Sequence, residues 1–497
     1  MKKIFTRLSL TSLALLMAML PAFAGCSGEE KPPVSEDPPK VEEPDEKDPP
    51  ENEDPDPEPE PEPEPDPTPD PVYGIVFEES ALCLATVEEY NEMTLVANVH
   101  RDGDILADVT PTYTVADESV ATVEGALLTA ISAGETIVTA SYTINDVTMS
   151  ESVPLIVLAA SNAEAVNSFN EEAVNLFGRT YVSAKKLTFD NVCTGIEVAF
   201  AGTELTAKLY ASTKSKVRVY VDGDTEGTAL VVESTRAKDV KLCENLEDGV
   251  HTVRILKAAS QIYGKVYLPD ANAFSTDGTF LAAREKPELK IEFIGDSITA
   301  GCGANGEPNE TQQTVENSDP TLAYSYLTAQ ALGADFSMLA REGICAKDGA
   351  FSAYSTYKQY STNYTVKYDP AQFDADVVVL ALGENDMWHA TSDQFPNYNV
   401  ELFRADYADM LRLIRESHPT AHIVCIYGMM PASSTLQTTQ TIQAAIEDTG
   451  DENISMLKMI SNERGANYHP NAATHKLNAD SLTKHIKKLL QAAEVKA

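Results

Sequence analysis

Three short blocks of small and polar residues, far apart in the chain, carry the side chains that acyl transfer needs: Gly295-Asp296-Ser297, Gly383-Glu384-Asn385-Asp386 and His469-Pro470-Asn471. A serine hydroxyl is a weak nucleophile at neutral pH and needs a neighbouring base to take its proton. His469 is the candidate, because an imidazole titrates near neutrality. It lies in the polar turn Asn467-Tyr468-His469-Pro470-Asn471, whereas His475, six residues on, reads as a structural residue of the last helix. The site must also offer donors to a developing oxyanion. The Ser297 backbone N–H and the Asn385 side-chain amide are candidates; Asp296 reads as a brace for the nucleophile loop, and Gly383 as a point where backbone passes close to substrate.

Those residues need elements that carry them to one place. Before Ser297 the run Lys290-Ile291-Glu292-Phe293-Ile294 is an apolar strand that stops at a small-residue turn. Apolar runs at 335–339, 377–382 and 422–427 alternate with helical segments, the clearest being 400–417, where Leu402, Tyr407, Met410, Leu411 and Ile414 keep a 3.6-residue period. A last helix is expected over about 472–493. Strand–helix alternation over residues 288–497 predicts a three-layer α/β domain with a parallel sheet. Ligands of such sheets bind beyond the carboxyl ends of the strands, where a helix start favours negative charge.

The three blocks together resemble those of the SGNH (GDSL-type) hydrolases, and most closely carbohydrate esterase family 2, over roughly residues 165–497. The resemblance implies a flavodoxin-like parallel sheet, with Ser297 as nucleophile, His469 as base, and an oxyanion hole of Ser297, Gly343 and Asn385. Gly343 enters through Ala340-Arg341-Glu342-Gly343-Ile344, which matches the second block of that family. SGNH hydrolases commonly carry an aspartate two or three residues before the histidine; this chain has Asn467 and Ala466 there. Asn467 through its amide oxygen, or a main-chain carbonyl, would then hold the ring, as in a Ser–His dyad. The implied activity is removal of O-acetyl groups from plant-type polysaccharides such as xylan or glucomannan, with no metal or organic cofactor. Trp388, the only tryptophan, either stacks on a sugar ring or packs in the core. Arg341, Glu342 and His389 are further candidates for the cleft rim.

Upstream, Lys2, Lys3 and Arg7 precede an apolar run from Leu8 to Leu20 and then Phe23-Ala24-Gly25-Cys26. This pattern reads as an export signal over residues 1–26. It resembles that of bacterial lipoproteins, with Cys26 the lipidated residue and a membrane anchor at the cell surface; an ordinary secretory signal cut near Ala24 is the alternative. Residues 27–72 alternate proline with acids and have almost nothing to bury. Polyproline II at about 3.1 Å per residue makes them a spacer of up to roughly 140 Å. They hold 19 acids against 3 lysines, or −16 of the formal net charge of −40. With +3 from the first 26 residues, this leaves −27 on residues 73–497, a surface that repels nucleic acids and anionic glycans and suits a neutral substrate.

Short alternating strands with frequent turns fill residues 73–159, as in 94–99 and 135–140, and predict a small β-sandwich. The series Glu118-Ser119-Val120-Ala121-Thr122-Val123, Leu128-Thr129-Ala130 and Ala133-Gly134-Glu135-Thr136 resembles group 2 bacterial Ig-like domains. Residues 160–287 are again strand-rich. Their Gly178-Arg179, Val221-Asp222-Gly223 and Asp248-Gly249-Val250-His251 resemble the jelly-roll β-sandwich of carbohydrate esterase family 2.

The cysteines beyond Cys26 form no Cys-x-x-Cys pair, so no zinc framework is written here. Export permits disulfides: Cys193 with Cys243, or Cys302 near Cys345, against buried free thiols for all six. Two other classes of function stay open. One is a surface glycan-binding protein with an inactive hydrolase fold. The other is a lipase or thioesterase, against which the polar Glu384, Asp386, His389 and Asn397 speak, since a lipid cleft needs an apolar rim.

Overall fold

A computed structural model describes residues 71–107, 109–161, 173–269, 273–349, 351–361, 366–430 and 434–494. The export signal, Cys26 and all of the proline-rich stretch but Pro71 and Val72 lie outside them. The described residues fall in one compact unit, and none of their helices is long and apolar enough to cross a membrane.

Five parallel strands form the sheet of the C-terminal part, in the order Asp335–Ala340, Lys290–Gly295, Val377–Ala381, His422–Tyr427 and Ile454–Lys458. In chain order this is 2-1-3-4-5, so the direction of winding reverses at Lys290–Gly295 and a crevice opens beyond its carboxyl end. Alternate strand residues face opposite layers. Ile291, Phe293, Met338, Val379 and Ile426 pack with Leu482 and Ile486 of the helix Ala472–Glu494. Ile294, Leu339, Leu380 and Ile423 pack with Phe403, Tyr407, Leu411 and Ile414 of Val400–Ser417. Asn399 caps that helix by accepting the Leu402 N–H at 3.0 Å. The fifth strand escaped the sequence reading because it is a half-buried edge strand with weak apolar contrast. The helix Glu384–Thr391 escaped it because its charged first turn reads as a loop.

Residues 174–280 form two antiparallel sheets of six strands each around a common apolar core. Strand Gly195–Gly202 pairs with Gly249–Lys257 along eight residues. At the tip of Ser215–Val221, Asp222 and Gly223 take left-handed conformations (φ 52° and 77°), and so make a tight turn. Residues 73–158 make three further small sheets around Leu82, Val99, Leu128, Val138 and Leu155.

The two-sheet domain is riveted to the α/β domain by buried charge. Arg179, fully buried, donates Nη2 to Glu292 Oε1 at 2.9 Å and Nη1 to the Tyr357 and Gln359 carbonyls at 2.7 and 3.0 Å. Glu292 sits inside the parallel sheet and also receives Ser337 Oγ at 3.2 Å, Tyr357 Oη at 2.8 Å and His418 Nε2 at 3.1 Å. A second rivet joins Asp319 to Lys216 and Arg218 of the strand Ser215–Val221, at 3.3 and 2.7 Å.

All six described cysteines are free thiols. Neither anticipated bridge forms. Cys193 is buried against the α/β core, whereas Cys243 packs on the core between the two antiparallel sheets. Cys302 instead donates to Glu342, and Cys345 lies against His389.

Burial pushes the Glu292 carboxyl up, but Arg179 and His418 overcome this and hold it down at about 2, below its ordinary 4.5. Its stabilising contribution is therefore complete above pH 4.5 and is lost as pH falls toward 2. Arg179→Met strands that charge in the interior, and a loss of about 3–5 kcal/mol is expected in denaturant unfolding at pH 7. The loss should shrink as pH falls toward 2.

Candidate active site

Parallel register delivers the three blocks to one edge. Gly295 lies beside Ala340 on one side and Ala381 on the other. Ser297, Gly343 and Asn385 follow those residues by two, three and four positions, all beyond the same end of the sheet. Side chains then knit the loops together. Asn385 Nδ2 donates to the Ile344 carbonyl at 3.0 Å and faces Asp296 Oδ2 at 3.5 Å, and Asp386 Oδ1 accepts the Ala346 N–H at 2.9 Å.

Ser297 opens a helical turn in which the N–H groups of Ala300, Gly301 and Cys302 donate to the carbonyls of Asp296, Ile298 and Ser297. Its own N–H stands at the start of that turn, where donors have no partner within the turn. Asp296 Oδ1 accepts the Ile298 N–H at 2.9 Å and so braces the turn from beneath. Burial drives the Asp296 carboxyl up to about 7, partly offset by these backbone bonds.

His469 Nε2 lies 2.7 Å from Ser297 Oγ, and its Nδ1 lies 2.8 Å from the Asn467 main-chain carbonyl. A carbonyl can only accept, so Nδ1 carries the proton and Nε2 presents its lone pair to the serine hydroxyl. Of the alternatives the sequence left open, it is the main-chain oxygen that orients the ring. The turn is bent to achieve this: Asn467 (φ 49°, ψ 42°) and Tyr468 (φ 63°) are both left-handed. Such backbone costs roughly 1–2 kcal/mol per residue, and neighbouring bonds secure it. The Ala466 N–H reaches the Gly303 carbonyl at 3.1 Å, and the Asn467 N–H reaches the Glu310 carbonyl at 2.6 Å. Burial holds the His469 imidazole below its ordinary 6.5, with Asn467 and the Glu342 charge opposing. His475 is buried in the helix, accepts the Tyr324 N–H at 3.2 Å and is pushed by burial down to about 3.

Gly343 is exposed with φ 68°, and a Cβ built there would meet nothing within 4 Å. No neighbour crowds its Cβ side, so only its left-handed conformation calls for glycine. The 3.5 Å approach of Asn385 to Asp296 is too long for a good hydrogen bond, so that N–H remains available to a developing oxyanion. Gly383 differs from the sequence reading. It caps the helix Glu384–Thr391 at φ 117°, and a Cβ there would press on Phe403 at 3.1 Å, so its close approach is to the core and not to a substrate.

Trp388 stands 47 % exposed on that helix, edge-on to Phe395 with centroids 5.2 Å apart. His389, a rim candidate from sequence, is buried, stacked on Phe395 at 3.7 Å. The Cys302 thiol donates to Glu342 Oε1 at 3.1 Å, placing Glu342 beside the turn that Ser297 opens. Sequence reasoning missed the contribution of the two-sheet domain. Its Lys257 and Tyr263 lie within electrostatic reach of Glu342, and no local pattern in the sequence signals this.

A part-buried serine–imidazole pair, with backbone and amide groups around it at a topological switch point, has the geometry of a serine hydrolase site. Residues 293–477 match the GDSL-like Lipase/Acylhydrolase family, and residues 176–283 match the Carbohydrate esterase 2 N-terminal family. The two matches place a GDSL-type acylhydrolase domain in the C-terminal part, with a carbohydrate esterase 2 N-terminal domain ahead of it. It is similar to the cellulase/esterase CelE of Acetivibrio thermocellus, 29 % identical over 308 residues, covering 59 % of this chain and 37 % of that one. An acetylxylan esterase / glucomannan deacetylase of Cellvibrio japonicus is 24 % identical over 357 residues, 66 % of this chain and 94 % of its own. Among solved structures, a family two carbohydrate esterase from Clostridium thermocellum in complex with cellohexaose is 26 % identical, with a TM-score of 0.58. That match covers 64 % of this chain and 99 % of the other.

A fluorophosphonate probe is expected to label Ser297 and to fail on Ser297→Ala and His469→Ala. Only the neutral imidazole activates the serine, and its pKa is depressed. The labelling rate should therefore hold as pH falls through 6.5 and drop only below it.

Proposed function

We propose that this protein is a serine ester hydrolase that removes acetyl groups from a neutral polysaccharide of the xylan or glucomannan kind. The observation that carries this reading is the 2.7 Å contact of Ser297 with an imidazole whose other nitrogen is tied to a carbonyl. In the reaction Ser297 Oγ bonds to the acetyl carbon while its proton passes to His469 Nε2. The carbonyl π pair moves onto oxygen and is met by the Ser297 and Gly343 N–H groups and Asn385 Nδ2. Collapse breaks the bond to the sugar oxygen, which leaves with the proton from Nε2. Water, deprotonated by the same nitrogen, then releases acetate from the serine.

The names of the relatives, esterases and deacetylases of plant-type polysaccharides, support the choice of substrate. So does the acidic surface, which suits neutral glycans, and so does Trp388, whose exposed face offers a stacking surface for a sugar ring. We read residues 73–159 as an Ig-like spacer and residues 160–287 as a jelly roll that walls the cleft. In the same reading, residues 1–26 direct export, Cys26 carries a lipid, and residues 27–72 hold the enzyme away from the membrane at the cell surface.

A second reading has its own observation. Among the described residues no carboxylate touches the imidazole, which is what a glycan-binding protein that has lost turnover would also show.

Acetate release from acetylated xylan or glucomannan, absent in Ser297→Ala, is the expected outcome; binding without release would favour the second reading. Asn385→Ala should lower kcat by about 100- to 1,000-fold. Trp388→Ala should raise KM for the polysaccharide while leaving a small acetyl ester unaffected. Preference for long-chain esters would overturn the substrate assignment, and loss of membrane fractionation in Cys26→Ser would support the anchor.

A further inference from the structure

In a serine triad a carboxylate both orients the imidazole and stabilises its charged form. Here the Asn467 carbonyl does the orienting, but it brings a dipole in place of a full charge. The charge must come from elsewhere or be absent. Glu342 is placed to supply it. It directly precedes Gly343, and its Oε1 is fixed by the Cys302 thiol at 3.1 Å. The Cys302 N–H in turn donates to the Ser297 carbonyl at 3.0 Å, so Glu342 is two hydrogen bonds from the nucleophile residue. Its Oε2 is shielded from solvent and, among the described residues, accepts no hydrogen bond.

We propose that Glu342 is a positioning residue whose charge stabilises the His469 imidazolium from a distance, taking electrostatically the part that a triad acid plays by contact. This rests on the hydrolase reading of the Ser297–His469 pair. The groups around it fit. Glu342 favours the charged form of His469 and the neutral form of Asp296, while burial acts as the larger influence on both. From the two-sheet domain, Lys257 is buried with its Nζ bonded to the Ala259 and Ser260 carbonyls at 3.0 and 2.8 Å, and burial lowers it to about 8. Tyr263, of the same domain, lies within electrostatic reach of Cys302 and Glu342. His475, on the last helix, is pushed down by burial and then by the His469 charge. Arg341, the chain neighbour of Glu342, is turned toward Phe351, its guanidinium 3.3 Å from the ring centroid. A negative charge at this place lowers the cost of the proton arriving at Nε2.

The test is Glu342→Gln, which keeps an acceptor for Cys302 and removes the charge. Removing a negative charge disfavours the imidazolium, so the acid limb of kcat/KM is expected to move to lower pH by roughly one unit. The plateau kcat should fall about tenfold, and Glu342→Asp should recover part of both. The His469 resonance, followed by NMR of 13C-histidine-labelled protein and assigned with His469→Ala, should show the same downward shift without any substrate. Cys302→Ala removes the hydrogen bond but not the charge, and is expected to leave that titration in place. An unchanged His469 titration in Glu342→Gln, or an equal shift in Cys302→Ala, would overturn the proposal. Should the wild-type protein hydrolyse no ester while the Glu342→Gln shift persists, the hydrolase reading falls and the coupling of Glu342 to His469 stands.

Discussion

Glu292 is a charge in the middle of a parallel sheet, and the architecture depends on how it is neutralised. An ion in such a place costs several kcal/mol unless it is paired and fully hydrogen-bonded. Arg179 supplies the pairing from another domain, and Ser337, Tyr357 and His418 fill the remaining lone pairs. Arg179 also lies over the rings of Tyr357 and Tyr368, with its Cζ 5.3 and 4.3 Å from their centroids. The two-sheet domain is thus locked to the strand that leads into Ser297.

That lock has consequences at the site. Glu292 is five residues before Ser297 on the strand at which the winding reverses. With the strand fixed, register alone brings the loops after Ala340 and Ala381 to the serine, and short bonds through Asn385 and Asp386 set their heights. The histidine arrives differently, on a turn of two left-handed residues that the loop after Ser297 holds in place. Strain of this kind persists only where surroundings over-determine it, and its return is a carbonyl aimed at Nδ1.

The electrostatics divide orientation from charge. Around the serine, Asp296 and Asp386 are raised by burial to about 7, and Glu384 is raised well above its ordinary range. Each is a brace that accepts backbone N–H groups, and none touches His469. Burial also lowers His469, which favours its neutral form. A site of this type has its dipoles fixed before the substrate arrives, which is the condition for stabilising an oxyanion without reorganisation.

Much of this was written in the sequence. Local patterns determined the strands from 290, 335, 377 and 422 and the long helix from 400, because period and capping are properties of neighbouring residues. The order Gly-Asp-Ser, Gly-Glu-Asn-Asp and His-Pro-Asn marked the candidate groups for the same reason: each block needs its chemistry within a few residues. Tertiary structure decided the rest. Whether the Asn467 side chain or its carbonyl held the imidazole turned on two backbone angles that depend on Gly303 and Glu310, more than 150 residues away. Gly383 proved to face Phe403, Cys193 and Cys243 went to separate cores, and Arg179 found Glu292 113 residues along the chain. Those are encounters through space, and a one-dimensional pattern carries no term for them.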